Sequence, residues 1–186
     1  MKKSLKNYFL FCLIAAFNAV FFMSCASLPK TVKSGDTLVI GRVEVKAHDY
    51  PVFNGTVMNG TFHSNIVLEF TDYDTGVKRN IKPNKDGCFF IKNFKPNATY
   101  GITKVTYEVK NAAQNGGVSC FVNIPSPNWF TPVDNKVINL GCTYFDFDGS
   151  RNWVTWNKAN HFYVKQFFQD LQDETEWYDK EIIDLR

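Results

Sequence analysis

Hydrophobic positions along the chain follow three successive patterns. Tyr8 to Met23 is apolar throughout except for Asn18, and from Leu38 to Phe147 apolar and polar residues alternate in short runs. Further on, Val164, Phe167, Phe168 and Leu171 fall at i, i+3, i+4 and i+7. An unbroken run, a period of two and a period of 3.6 belong, in that order, to an apolar leader, to strands with one wet face and to an amphipathic helix.

Turn residues divide the alternating stretch. Leu38, Ile40, Val43 and Val45 mark a first strand, in which Gly41 is read as a bulge that resets the alternation. Tyr50 to Phe62, broken by Pro51, Gly55 and Gly60, is read as a loop or a short irregular strand. Asn65 to Thr71 is the next strand, and Val77 to Ile81 returns beside it after Asp72-Tyr73-Asp74-Thr75-Gly76. The carboxylates in that turn are spaced as in a calcium loop, but Asp and Gly also supply what a tight hairpin needs, and the hairpin is the better reading. After Pro83-Asn84-Lys85-Asp86-Gly87 come strands over Cys88 to Ile91, Thr99 to Val109, Val118 to Ile124 and Val137 to Phe147. The helical stripe predicts a helix over Asn160 to Gln172 that packs on the sheets or covers an edge.

Asp86-Gly87, Phe89, Ile91, Asn93-Phe94, Pro96-Asn97 and Tyr100 resemble the Asp-Gly-x-Phe and Leu-x-Pro-Gly-x-Tyr pattern of carboxypeptidase-regulatory-like and transthyretin-like domains. Phe94 and Asn97 replace the usual Leu and Gly; Asn is the mildest replacement for Gly where a turn is left-handed. The resemblance spans Val39 to Val109. It implies a mainly β fold, an antiparallel β-sandwich to which the helix adds a C-terminal element, and it brings no active-site residues. The expected organisation is a leader over 1–24, a short polar tether over 25–37, a β-sandwich over 38–157 and a helical segment over 158–186 packed on it.

The leader opens with Lys2, Lys3 and Lys6 and carries no acidic residue. A basic start and an apolar run short of the ~20 residues of a membrane span fit a secretory signal peptide. An uncleaved anchor helix is the competing reading. Phe22-Met23-Ser24-Cys25 resembles the lipobox of bacterial lipoproteins, in the looser form found in spirochaetes and some Bacteroidetes. That resemblance implies cleavage before Cys25 and a diacylglyceryl thioether on its sulfur. Ala26, where an aspartate would retain the protein, then implies passage to the outer membrane. Cleavage by signal peptidase I within Ser24 to Ser27 is the alternative, and would release a soluble protein.

Composition sharpens this picture. The formal charge of +3 is supplied by the three leader lysines, so the remainder is neutral and lacks the basic surplus of a nucleic-acid partner. Of five cysteines, Cys12 goes with the leader and Cys25 with the lipid; Cys88, Cys120 and Cys142 either hold one disulfide with one spare, as an oxidising compartment permits, or stay reduced in the core. His48, His63 and His161 share no metal-ligand spacing with the cysteines. Asp146-Phe147-Asp148-Gly149-Ser150 lacks the distal Glu of a calcium loop and is read as a turn. There is no Gly-x-Ser-x-Gly elbow or phosphate loop. The expectation is therefore no catalytic residues, no metal and no cofactor, with Cys25 as the lipidation site. Loop aromatics Trp129, Phe130, Trp153 and Trp156 are the candidate ligand-binding residues, for a glycan or a protein. The expected partners are the membrane, through the lipid, and an unidentified protein or glycan. A non-enzymatic binding or envelope-structural module is the leading reading, ahead of a carbohydrate-binding lipoprotein and of an enzyme with a dispersed site.

Overall fold

The computed structural model describes residues 28, 30–53, 56–109, 118–148, 151–156, 166, 170 and 174–185. Ten strands occupy them: β1 (Leu38–Phe53), β2 (Thr56–Phe62), β3 (Ile66–Asp72), β4 (Lys78–Ile81), β5 (Cys88–Lys92), β6 (Tyr100–Val109), β7 (Val118–Asn123), β8 (Val137–Asp148), β9 (Arg151–Trp156) and β10 (Ile182–Asp184). The fold is mainly β, built from two sheets.

The first sheet is organised on a parallel pair, β1 and β8. Each long strand is flanked on its outer side by two shorter ones placed end to end: β5 and then β2 along β1, β10 and then β9 along β8. The second sheet is antiparallel, in the order β4-β3-β6-β7: two hairpins, β3-β4 and β6-β7, lie side by side through β3 and β6, and β5 of the first sheet falls between them in sequence. Both bury side chains in one apolar cluster: Val39, Val43, Val45, Phe89, Ile91, Phe145 and Phe147 from the first, Ile66, Leu68, Phe70, Ile102 and Val105 from the second. Phe70 lies at its centre, its ring 5.8 to 6.2 Å from those of Phe89, Phe94 and Phe130. Such offset and edge-on aromatic contacts add about 0.5–1.5 kcal/mol per pair beyond area burial.

Three features differ from the sequence pattern, each for a local reason. The alternation resets on β8 rather than at Gly41. Ile138 and Leu140 face the core, then Phe145 and Phe147 do, and the parity flips where β1 advances from Ile40 to Arg42 while β8 advances from Asn139 to Cys142. Gly141 supplies the positive φ of 70° for that bulge. Gly41 instead makes room, since a Cβ there would stand 2.6 Å from Phe89 Cζ.

The stretch Tyr50 to Phe62, punctuated like a loop, is a long hairpin. A second bulge sets His48 and Asp49 against Asn59, with Asp49 at φ 47°. The pair closes on itself: Asp49 N–H donates to Asn59 Oδ1 (2.8 Å) and Asn59 Nδ2 to Asp49 Oδ1 (2.9 Å). Pro51 is tolerated because β1 outruns β8 at His48, so one side of the strand has no described partner that needs an N–H.

Beyond the expected helix, where the sequence leaves a second short helix or an extended tail open, the chain forms a 3-10 turn (Glu176–Asp179) and β10, parallel to β8. Three residues are too few to carry a readable period. The helix expected over Asn160 to Gln172 lies outside the described residues, apart from Gln166 and Asp170, whose N–H donates to the Gln166 carbonyl at 3.3 Å.

Candidate functional site

Strand directions bring five connecting segments to one end of the molecule. β1, β6, β8 and β10 begin there, while β3 and β5 end there. Hydrogen bonds interlock the segments: Asn93 N–H to Thr37 O (3.2 Å), Thr37 Oγ1 to Phe94 O (2.8 Å), Asn97 N–H to Pro132 O (3.2 Å), Asn135 N–H to Asp36 O (2.8 Å) and Tyr73 N–H to Thr99 O (2.8 Å). Asn93, Asn97 and Asn135 all adopt positive φ, the role for which asparagine is second only to glycine.

Asp72 ties this end together. Its carboxylate accepts from the N–H groups of Asp74 (2.9 Å) and Thr75 (3.0 Å), and Gly76 N–H bonds its carbonyl. These are the contacts of a turn capped by its own aspartate. The Thr75 amide above all holds the Asp72 carboxyl below its ordinary range, against the opposing effect of burial. Tyr100 bonds the same carboxylate, and its hydroxyl accepts from Lys95 N–H (3.2 Å); burial pushes that phenol up.

The candidate aromatics fall in different places. Phe130 is not an exposed loop residue: it is buried, exchanges both backbone hydrogen bonds with Tyr100, and packs on Phe70, Phe94 and Tyr100. Trp129, its neighbour, points the other way and is 37% exposed. It covers Gly101, where a Cβ would stand 2.7 Å from Trp129 Cε3 and 2.9 Å from Pro127 Cβ. Aromatic cover of a strand glycine restores the packing that the missing side chain forfeits. Trp153 and Trp156 lie on β9 of the first sheet, opposite Asp146 and Thr143. Their side chains are outside the described residues.

Sequence reasoning missed the partner of Trp129. Tyr73 is 65% exposed, and its ring stands edge-on to Trp129 at 5.1 Å. The available signal was its place inside a turn anchored by Asp72, which forces the following side chain outward.

The outer face of the first sheet carries His48, His63, Cys88 and Cys142. His48 Nε2 stands 3.7 Å from Asp146 Oδ1, and His63 Nδ1 stands 4.0 Å from Glu44 Oε2, both longer than a hydrogen bond. Arg42 pairs with Cys88 on one side and Cys142 on the other. Two strand spacings are about 10 Å, beyond the ~7 Å a disulfide spans, so these two thiols cannot bridge. Cys120 lies on β7 of the other sheet. Burial pushes the Cys142 thiol up, the opposite of activation. Among the described residues no group of three or more His, Cys, Asp or Glu side chains could hold a metal ion.

At the start of β1 the outer face of the first sheet is covered by residues from before β1 and from the 3-10 turn. Leu28 and Trp177 are buried there against Leu38, Ile40 and Val137, with Val32 and Phe90 beside them. Glu176 N–H donates to Lys30 O (2.9 Å), and Val32 N–H donates to Glu176 Oε2 (2.8 Å). Thr175 caps the turn by accepting from Trp177 N–H. From Leu28 onward, the segment expected as a tether is packed against the domain.

Among the described residues no helix is long and apolar enough to cross a membrane. Set against protein families, curated proteins and solved structures, the chain matches none.

Proposed function

We propose that the chain is the precursor of a bacterial lipoprotein, cleaved before Cys25 and held at the cell envelope, on the outer membrane, by lipid on the Cys25 sulfur. The observation that carries the reading is the leader: three lysines, an apolar run too short to span, and Ser24-Cys25 at its end. At ~0.8 kcal/mol per buried methylene, the two or three acyl chains of such an anchor hold stably where one would exchange. In this reading the two sheets form a transthyretin-like β-sandwich, with the segment around Asn160 to Gln172 packed on it as a helix. The whole is a non-enzymatic binding or envelope-structural module.

A carbohydrate-binding role is the second reading, and Trp129 with Tyr73 favours it. Its platform is narrow, because Phe130 is in the core and Trp153 is on the other sheet. The lipoprotein reading is tested in cells fed labelled fatty acid. Wild-type protein is expected to carry the label and sediment with membranes, and Cys25→Ala to do neither. Undiminished labelling of the Cys25→Ala protein would refute it.

A further inference from the structure

The end of the molecule where the five segments interlock also gathers its exposed apolar side chains. Of the six large hydrophobic residues exposed among the described ones, Tyr73, Val77, Trp129, Tyr178 and Ile182 lie there, and only Phe121 lies elsewhere, on β7. Tyr73 and Val77 sit in the turn that joins β3 to β4, and Trp129 precedes the bridge to Tyr100. Tyr178 lies in the 3-10 turn, and Ile182 opens β10 opposite Val137. Scattered exposed hydrophobics need no explanation, but their concentration at one end marks an interaction surface.

The same end carries Leu28, the first of the described residues. Leu28 is buried against Trp177, and only Ala26 and Ser27 separate it from Cys25. Three residues of chain reach at most about 10 Å. A lipid on Cys25 would therefore hold this end within about 10 Å of the acyl chains, roughly the depth of the headgroup layer. A domain anchored this closely cannot stand off the bilayer or turn its opposite end toward it.

We propose that this end lies on the bilayer surface, with Tyr73 and Trp129 seated among the lipid headgroups. The proposal rests on the lipoprotein reading above and adds the orientation and the contact surface. Tyrosine and tryptophan suit that layer, since each has an apolar ring and a polar group that stays wet. The charges at this end are mixed, as where Lys136 pairs with Glu181 at 2.8 Å. Attraction to anionic lipid is therefore not what seats it, and contact on zwitterionic vesicles is expected to equal that on anionic ones. Trp129 packs over Gly101 and edge-on to Tyr73, so the two rings present one face together.

The test uses the full lipidated protein in phosphatidylcholine vesicles containing a lipid brominated near the headgroup end of its acyl chains. Intact mass of the same sample establishes that Cys25 is acylated. Bromine is expected to quench part of the tryptophan emission. Trp129→Phe is expected to lose most of that quenching, and Trp153→Phe, on the other sheet, to leave it unchanged. A second readout needs no variant: amide exchange over 72–77 and 127–131 is expected to slow on vesicles relative to the unlipidated chain in solution, and exchange over 56–62 to stay the same. An acylated, vesicle-bound protein whose quenching does not depend on Trp129 and whose exchange is unaltered would overturn the orientation while leaving the lipoprotein reading intact. Absence of acyl mass on Cys25 would sink the reading beneath it. Quenching confined to anionic vesicles, or a soluble oligosaccharide that protects Trp129 while lipid does not, would also overturn the proposal.

Discussion

The two sheets share one core but use their outer faces differently. The second sheet, two antiparallel hairpins side by side, carries on its outer face exposed Phe121 under Lys104 (4.4 Å to the ring centroid) and the pair Lys78–Glu69 at 2.9 Å. The first sheet is built on the parallel β1–β8 pair and is covered on its outer face, at the start of both strands, by Leu28, Val32 and Trp177. Parallel strands are usually buried on both faces. Here the covering layer comes from Leu28 and Val32 before β1 and from Trp177 before β10, so the segment next to the proposed anchor belongs to the fold.

Substitutions that uncover or wedge the first sheet should therefore cost far more than substitutions on the wet face of the second. Trp177→Ala is expected to cost the most, about 3–5 kcal/mol, read as a drop in the urea midpoint, because it opens a cavity over Leu38 and Val137. A loss under about 1 kcal/mol would mean that the covering layer is loose. Gly87→Ala comes next. Gly87 has φ 78°, and a Cβ there would run into the Val43 carbonyl oxygen of β1. Strain and overpacking together predict a loss of about 2–3 kcal/mol, read from the same curves.

A smaller, pH-dependent effect belongs to the turn at Asp72. Its carboxyl is held below the ordinary value, so its contribution is fully present above that range and is lost as pH falls through the lowered one. Thermal midpoints of wild type and Asp72→Asn should therefore converge as pH falls below the ordinary carboxylate range. A gap that persists there would show that Asp72 acts only through its shape. Least affected is the wet face: Phe121→Ala and Lys78→Ala should each stay within about 0.5–1 kcal/mol. A larger loss would mean that something covers that face after all.

The contrast between the sheets also explains what could be read from the chain. Each strand of the second sheet has a sequence neighbour as a hairpin partner, β3 with β4 and β6 with β7, and only the β3–β6 pairing passes over other strands. Alternation and turn residues were enough to place β3, β4, β6 and β7. In the first sheet, Leu38 and Ile40 face one layer while Val39 and Val43 face another, so the hydrophobic run records burial without saying against what. The pairing of β1 with β8 joins residues about a hundred apart, which no local pattern encodes. β10 was too short to announce itself, and Pro51 and Gly60 masked the β1–β2 hairpin. Of the candidate site, Trp129 was legible as a loop aromatic, but Phe130 was not legible as core. The two are adjacent, and only the bridge to Tyr100 decides which one turns inward.

The claim underlying the whole account is that the chain is already folded three residues after Cys25. Amide exchange of the soluble domain, resolved residue by residue, tests it most directly. The amides of Val32, Gly35 and Glu176, bonded respectively to Glu176 Oε2, Asp134 Oδ1 and Lys30 O, should exchange measurably more slowly than in an unstructured peptide of the same sequence. Exchange of Val32 and Gly35 at unstructured rates, with β1 and β8 protected, would show residues 28–37 to be a free tether and would contradict the account.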